Sequence, residues 1–321
     1  MAFPRLAIVL AAAAIATAAS AQQGYPGKPI RMIVPLAAAS AVDNAARIVA
    51  QKMSANMGQQ IVIENIPGAA GLIGTKNVAT AAPDGYTIGG FNDSIITMLP
   101  NMHANPGWDI LRDFEPVSLV ATVEWGLVAN NDSGIRSAAD LIARAKAKPG
   151  EINYGSGGTG TATHLAGELL CSMAGVKMNH IPYKGDAQAT VDLLGNQISW
   201  KFGTILSIKQ HVDAGRLRAL AVSGPRRVPA MPNVPTVAET IPGFDATSLY
   251  GVMVPIRTPA PIVERLNKEI GKIVASESFR KILSEDGAEV VGGTPQQFGQ
   301  NLAQAIDKWK TVIRNADIKL Q

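Results

Sequence analysis

Short runs rich in β-branched residues alternate along this chain with stretches whose apolar residues recur at helical spacing, and this alternation restricts the possible folds more than any other feature. Residues 30–34 read as a buried strand. A helix over 43–57 follows, with Ala46, Val49, Met53 and Met57 on one face. Residues 61–63 are a strand, 68–81 a helix entered through glycine, and 86–89 a strand after the turn Pro83-Asp84-Gly85. Farther along, Ser137 and Asp140 open a capped helix whose apolar face is Leu141, Ile142 and Ala145. A strand at 152–154, a Gly-rich loop at 155–161 and a helix at 165–173 come next. Strands are expected at 179–182, 198–202 and 217–222, and a Pro-rich surface connection at 225–235. Two helices close the chain. One begins at Pro259 and Pro261 and carries Ile262, Leu266, Ile270 and Ile273; the other begins at a capping box, Thr294-Pro295-Gln296-Gln297, and runs through 303–315. The fold class is α/β, with a parallel sheet covered by helices on both faces.

The N-terminus sets the compartment. Arg5 precedes an uncharged apolar run at 6–18, and Ala19-Ser20-Ala21 fits a small-residue cleavage pattern. Residues 1–21 therefore read as a secretory signal peptide, with a mature chain starting near Gln22 in the periplasm. No cysteine follows the cleavage site to take a lipid, and no later apolar stretch approaches about 18 residues. About 300 mature residues suggest two lobes rather than one core. The sole cysteine, Cys171, reads as core in an apolar helix. Loss of Arg5 takes the formal charge from +4 to +3, and the basic points at Arg226-Arg227 and 308–310 are too short for a nucleic-acid stripe.

Catalytic patterns are sparse. The four histidines, at 103, 164, 180 and 211, form no H-E-x-x-H motif and have no paired cysteines. Neither a phosphate loop nor a dinucleotide fingerprint occurs, and Ser156 stands in Gly-Ser-Gly-Gly rather than a nucleophile elbow. His164, at a helix start, is expected to hydrogen-bond locally.

Several stretches resemble the tripartite tricarboxylate transporter receptors, also called Bug receptors, along essentially the whole mature length. They include Pro83-Asp84-Gly85-Tyr86-Thr87, Asp113-Phe114-Glu115-Pro116-Val117-Ser118, Tyr154-Gly155-Ser156-Gly157-Gly158-Thr159-Gly160, His164-Leu165-Ala166-Gly167-Glu168 and Pro182-Tyr183-Lys184-Gly185. Further matches are 215–222, 234–239 and 292–295. Each is weak alone; their order and spacing together are specific. The resemblance implies a two-lobe type II periplasmic binding protein fold with two interlobe crossings, near 119–127 and 246–254. Residues 22–122 and 250–321 would form lobe one and 123–249 lobe two, with the ligand in the cleft.

A carboxylate needs hydrogen-bond donors, and the first turn of a helix offers free N–H groups and a positive dipole end. Two loops suit this: 36–43, leading into the first helix, and 156–163, where glycines allow close backbone approach and Ser156, Thr159, Thr161 and Thr163 add hydroxyls. The resemblance implies that these two loops hold the ligand, partly through ordered waters. The expected contacts are Ala38, Ala39, Ser40, Asn92, Ser94, Ser156, Gly157, Gly158, Thr159, Thr161, Thr163, Tyr183, Gly203 and Tyr250. Asp43 is expected to cap the following helix.

The chain departs from its relatives twice. Where they usually carry a Gly-Gly pair and a Thr before the Asp, this chain has Ala39, Ser40 and Val42. Where they often read close to Met-Phe-Asp-Asn, it has Lys201-Phe202-Gly203-Thr204, so an acidic partner for a ligand amine is expected to be missing. Both changes point to a less polar, wider pocket and a carboxylate without an essential ammonium group. The expected function is a monomeric receptor, not an enzyme, that binds a small organic carboxylate without cofactor or metal and delivers it to membrane transporter subunits. An alternative partner is a sensor kinase; a Ser156–His164 hydrolase is a third reading.

Overall fold

A computed structural model describes residues 24–36, 38, 41–103, 105–285 and 287–318. The expected signal peptide, Gln22, Ala39 and Ser40 lie outside the described residues. In order, the strands and helices are β1 (Ile30–Val34), α1 (Ala41–Met57), β2 (Ile61–Asn65), α2 (Leu72–Ala79), β3 (Thr87–Asn92), α3 (Leu99–Met102), β4 (Phe114–Val123), β5 (Trp125–Asn130), α4 (Ala138–Ala147), β6 (Asn153–Ser156) and α5 (Ala162–Ala174). They continue with β7 (Asn179–Pro182), α6 (Asp186–Leu194), β8 (Trp200–Thr204), α7 (Ile205–Asp213), β9 (Leu217–Val222), β10 (Ser248–Pro255), α8 (Ala260–Ala275), α9 (Glu277–Glu285), β11 (Ala288–Val290) and α10 (Pro295–Asn315).

The strands form two sheets, ordered β11-β4-β10-β3-β1-β2 and β7-β6-β8-β5-β9. Each contains the expected parallel part, β3-β1-β2 in one and β7-β6-β8 in the other. The sheets are nevertheless mixed. β10 and β11 run antiparallel to their neighbours in the first, and β5 does so in the second. β4 passes into β5, and so from the first sheet into the second, through the single residue Glu124. The second connection between the sheets runs from β9 to β10. At the crossing, Trp125 N donates to Ser223 Oγ at 2.8 Å, and Ser223 N donates to the Trp125 carbonyl at 2.8 Å.

Each sheet has its own core. The first buries Ile30, Met32 and Val34 of β1 against Ala46, Val49 and Met53 of α1, the face expected from helical spacing. The second surrounds Tyr154, Leu165, Trp200 and Phe202. Caps follow the sequence: Ser137 Oγ accepts from Asp140 N, and Thr294 and Gln297 form a reciprocal capping box ahead of α10. The expected helix at 68–81 is divided at Gly71, whose φ of 100° ends a short 3₁₀ turn before α2. The C-terminal part has three helices rather than two, because Ser276 adopts an extended backbone between α8 and α9.

α10 packs against both cores. Its Phe298 and Leu302 sit with Phe91 and Phe114 of the first sheet, but Trp309, Val312 and Ile313 pack in the core of the second. Trp309 is fully buried, and its replacement by alanine would cost about 3–5 kcal/mol. One helix therefore joins both cores.

Candidate ligand-binding cleft

A cavity of about 660 Å³ opens between the two sheets. The first sheet contributes Asn92 and Ser94 after β3, Ala121 and Val123 of β4, and Ser248 and Tyr250 of β10. Leu36, Val42, Asn44 and Ala45 reach it from the loop before α1 and from that helix. The second sheet contributes Trp125 of β5, residues 157 and 159–163 leading into α5, Asp186 at the start of α6, and Thr204 with Leu206 at the start of α7. The remaining wall is mainly Leu99, Met102, Leu249 and Leu283.

The loop before α5 is held from behind. Thr161 caps the helix by accepting from His164 N and donates its own hydroxyl to the Gly158 carbonyl at 2.8 Å. Gly160 N donates to His164 Nδ1 at 3.0 Å, the local bond expected for that histidine. Gly158 has φ 136°, and a Cβ there would stand 3.3 Å from the Tyr183 carbonyl. A Cβ on Gly157 would stand 3.3 Å from Asp186 N, so the starts of α5 and α6 lie side by side. The first-turn amides of α5 have no partner within the helix, and the helix dipole makes that end favourable for an anion.

Around the cavity, buried side-chain polar atoms lack protein partners. Asn92 Oδ1, Trp125 Nε1 and Tyr250 Oη have none. Ser248 Oγ lies beside the Asp93 carboxyl without a hydrogen bond of good geometry. Burial pushes Asp93 up to about 7, against the Ser248 hydroxyl, the Lys308 charge and nearby amides, which favour the ionised form. Native interiors pair nearly all such groups, so a cluster of unpaired ones around a cavity marks a place where a ligand supplies the partners.

Seven of the residues expected at the site line the cavity together: Asn92, Ser94, Gly157, Thr159, Thr161, Thr163 and Tyr250. Ala38 is exposed and outside the lining. Ser156 is fully buried, with its hydroxyl 2.7 Å from His180 Nε2, 3.0 Å from the Gly158 carbonyl to which it can donate, and accepting from Gly158 N at 3.1 Å, so it is occupied within the protein. Gly158 is outside the lining and supports it. Tyr183 donates to Asp192 Oδ2 at 2.7 Å and stands behind the loop. Gly203 also misses the cavity: a Cβ there would meet Ile208 Cγ2 at 2.7 Å, so its small size makes room for α7 and does not widen the pocket. Asp43 sits inside the first turn of α1, where it pairs with Arg47 at 2.9 Å and accepts from Asn65 Nδ2 at 2.9 Å.

Sequence reasoning missed Trp125, Thr204 and Asp186 as lining residues. A signal for the last existed. Lys201 is a lysine inside an apolar strand run, and such a residue requires a buried acidic or polar partner. That partner is Asp186, whose Oδ1 lies 2.7 Å from Lys201 Nζ. An acidic side chain is therefore present at the cavity, supplied by α6 rather than by position 203.

The comparisons with known proteins agree with this geometry. The model of the tripartite tricarboxylate transporter family receptor matches residues 45–318. Protein BugT of Bordetella pertussis is 36% identical over 319 residues, covering 98% of this chain and 97% of that protein. The structure of R. palustris Rpa4515 with adipate is similar, with a TM-score of 0.80 and 33% identity over 92% of this chain and 99% of that one. MatC (Rpa3494) from Rhodopseudomonas palustris with bound malate follows at a TM-score of 0.76 and 26% identity, over 90% and 100%. The fold is the two-lobe type II periplasmic binding protein fold, and these proteins are solute-binding receptors rather than enzymes. The chain belongs to the tripartite tricarboxylate transporter receptor family.

Proposed function

We propose that this chain is exported to the periplasm, captures a small organic carboxylate between its two sheets and delivers it to a tripartite tricarboxylate-type transporter. The observation that carries the reading is a single cavity that joins the α5 N-terminus and Trp125 on the second sheet to Tyr250 and Asn92 on the first, with the Tyr250, Trp125 and Asn92 polar atoms lacking protein partners. A carboxylate bound at the helix start takes up its free amides and the threonine hydroxyls. The second polar cluster receives the rest of the ligand, and Leu36, Val42, Leu99 and Met102 cover its hydrocarbon part. Adipate in one similar structure suits this division into polar ends and an apolar middle, and malate in another is likewise a small dicarboxylate.

Closure of lobe two (123–249) on lobe one brings the two donor sets together, so binding and closure share one free energy. A thermal-shift screen of the mature chain against mono-, di- and tricarboxylates tests the reading. A ligand at 100 times its dissociation constant stabilises by about 2.7 kcal/mol. A screen in which no carboxylate raises the melting temperature contradicts it.

A further inference from the structure

Among the described residues, Asp186 is the only charged side chain that lines the cavity. A lone carboxylate there would work against an anionic ligand: two like charges 4 Å apart repel by about 4 kcal/mol at the effective dielectric of a protein surface. The neighbouring lysine removes this conflict. Lys201 is fully buried, with Nζ 2.7 Å from Asp186 Oδ1, and it donates to the Asp186 carbonyl at 3.0 Å and to Thr190 Oγ1 at 2.8 Å. The ion-paired Oδ1 and the two hydrogen-bond acceptors all belong to the first turns of α6, so the ammonium offsets the Asp186 charge and holds it at the helix start.

The two carboxylate oxygens are consequently unlike. Oδ1 is buried against Lys201, while the side chain as a whole keeps 33% of its surface accessible, which leaves Oδ2 as the accessible oxygen. Oδ2 accepts and cannot donate, and the net charge behind it is offset. A neutral donor on the ligand suits such a group without needing to be an ammonium. Asp186 N would stand 3.3 Å from a Cβ on Gly157, so Asp186 begins α6 beside the loop before α5 that is read as the carboxylate site.

Resting on the carboxylate-receptor reading above, we propose that Asp186, clamped by Lys201, determines specificity at this cavity by selecting carboxylates with a hydroxyl beside the bound carboxyl group over those without one. A site built to hydrogen-bond a ligand hydroxyl rejects the analogue lacking it, because its own polar group is then left unpaired.

Calorimetry with matched pairs tests the proposal: malate against succinate, 2-hydroxyglutarate against glutarate, and 2-hydroxyadipate against adipate. The native chain is expected to prefer the hydroxylated member of the pair that fits by about ten- to a hundredfold. The double variant Asp186→Ala/Lys201→Met removes acceptor and clamp together, leaves no unpaired buried charge, and is expected to bring the two members within about twofold. The native chain alone decides the matter if that variant does not fold. Equal affinity for both members in the native chain overturns the proposal while leaving the carboxylate reading intact, as does a preference that survives in the folded double variant. Tighter binding of aspartate than of malate assigns Asp186 to an ammonium and also overturns it. Failure of every carboxylate to bind overturns the receptor reading, and this proposal with it.

Discussion

The Ser156 hydroxyl lies 2.7 Å from Nε2 of His180, and this contact turns it away from the cavity between the sheets. His180 in turn stacks on His164 with ring centroids 3.8 Å apart and meets the Tyr154 ring at a tilt, at 5.0 Å. Burial holds the two imidazoles down at about 4 and about 3, so both are neutral at ordinary pH. Ser156 therefore anchors the binding loop to a neutral aromatic column. Replacing Ser156 by alanine should leave ligand affinity within about threefold but lower stability by about 1–3 kcal/mol, since His180 and the Gly158 amide lose a partner. Denaturant unfolding and calorimetry on the same variant separate the two effects.

Tyr250 should behave in the opposite way. Tyr250 lines the cavity, and its hydroxyl is buried with no protein partner, which costs the ligand-free protein stability. Tyr250→Phe should stabilise the ligand-free chain by up to about 1 kcal/mol. If the hydroxyl donates to a bound carboxylate, its loss should weaken binding by about ten- to a hundredfold. Melting curves with and without ligand should cross between the native chain and this variant.

Much of the fold was legible because its signals are local. The α1 face, the Ser137 cap and the Thr294 capping box depend on neighbours within a few residues, and each forms as the spacing indicates. The mixed sheets were not legible, since the direction of β10 follows from how the chain returns between the sheets rather than from its own pattern. The same division holds in the cleft. Thr159, Thr161 and Thr163 could be placed from a Gly-rich loop ahead of a helix. Ser156 in the same loop could not be excluded, because His180 lies 24 residues away. Asp186 became visible only once β8 set Lys201 behind it.

Glu124, the single residue between β4 and β5, gives the crossing a pH dependence. It is buried, Oε2 has no partner, and the backbone at Gly224 presses against its carboxyl. Burial pushes it up to about 7, Glu289 and Asp245 add to the rise, and Arg226 and the Gly224 amide oppose it. The folded state therefore binds the proton more tightly than the unfolded state, whose glutamate titrates near 4.3. Stability from this group is present below that value and is lost as pH rises through about 7. His164 and His180 act in the reverse direction, losing stability as pH falls below about 6.5, so comparison of variants is needed to isolate Glu124. Glu124→Gln should be more stable than the native chain by roughly 1–3 kcal/mol at pH 8, with the gap narrowing as pH falls and closing below about pH 4. A gap that is constant with pH would show that the carboxyl titrates normally.

The most direct measurement is a crystal structure of the mature chain with the carboxylate that stabilises it most. The account predicts one carboxyl group within hydrogen-bond distance of the backbone amides and hydroxyls of residues 159–163 at the start of α5. It also predicts that the ligand's other polar atoms meet Tyr250, Ser248 or Asn92 across the cavity. A ligand bound outside this cleft, or one whose carboxyl group is held by a lysine or arginine elsewhere on the surface, would contradict it.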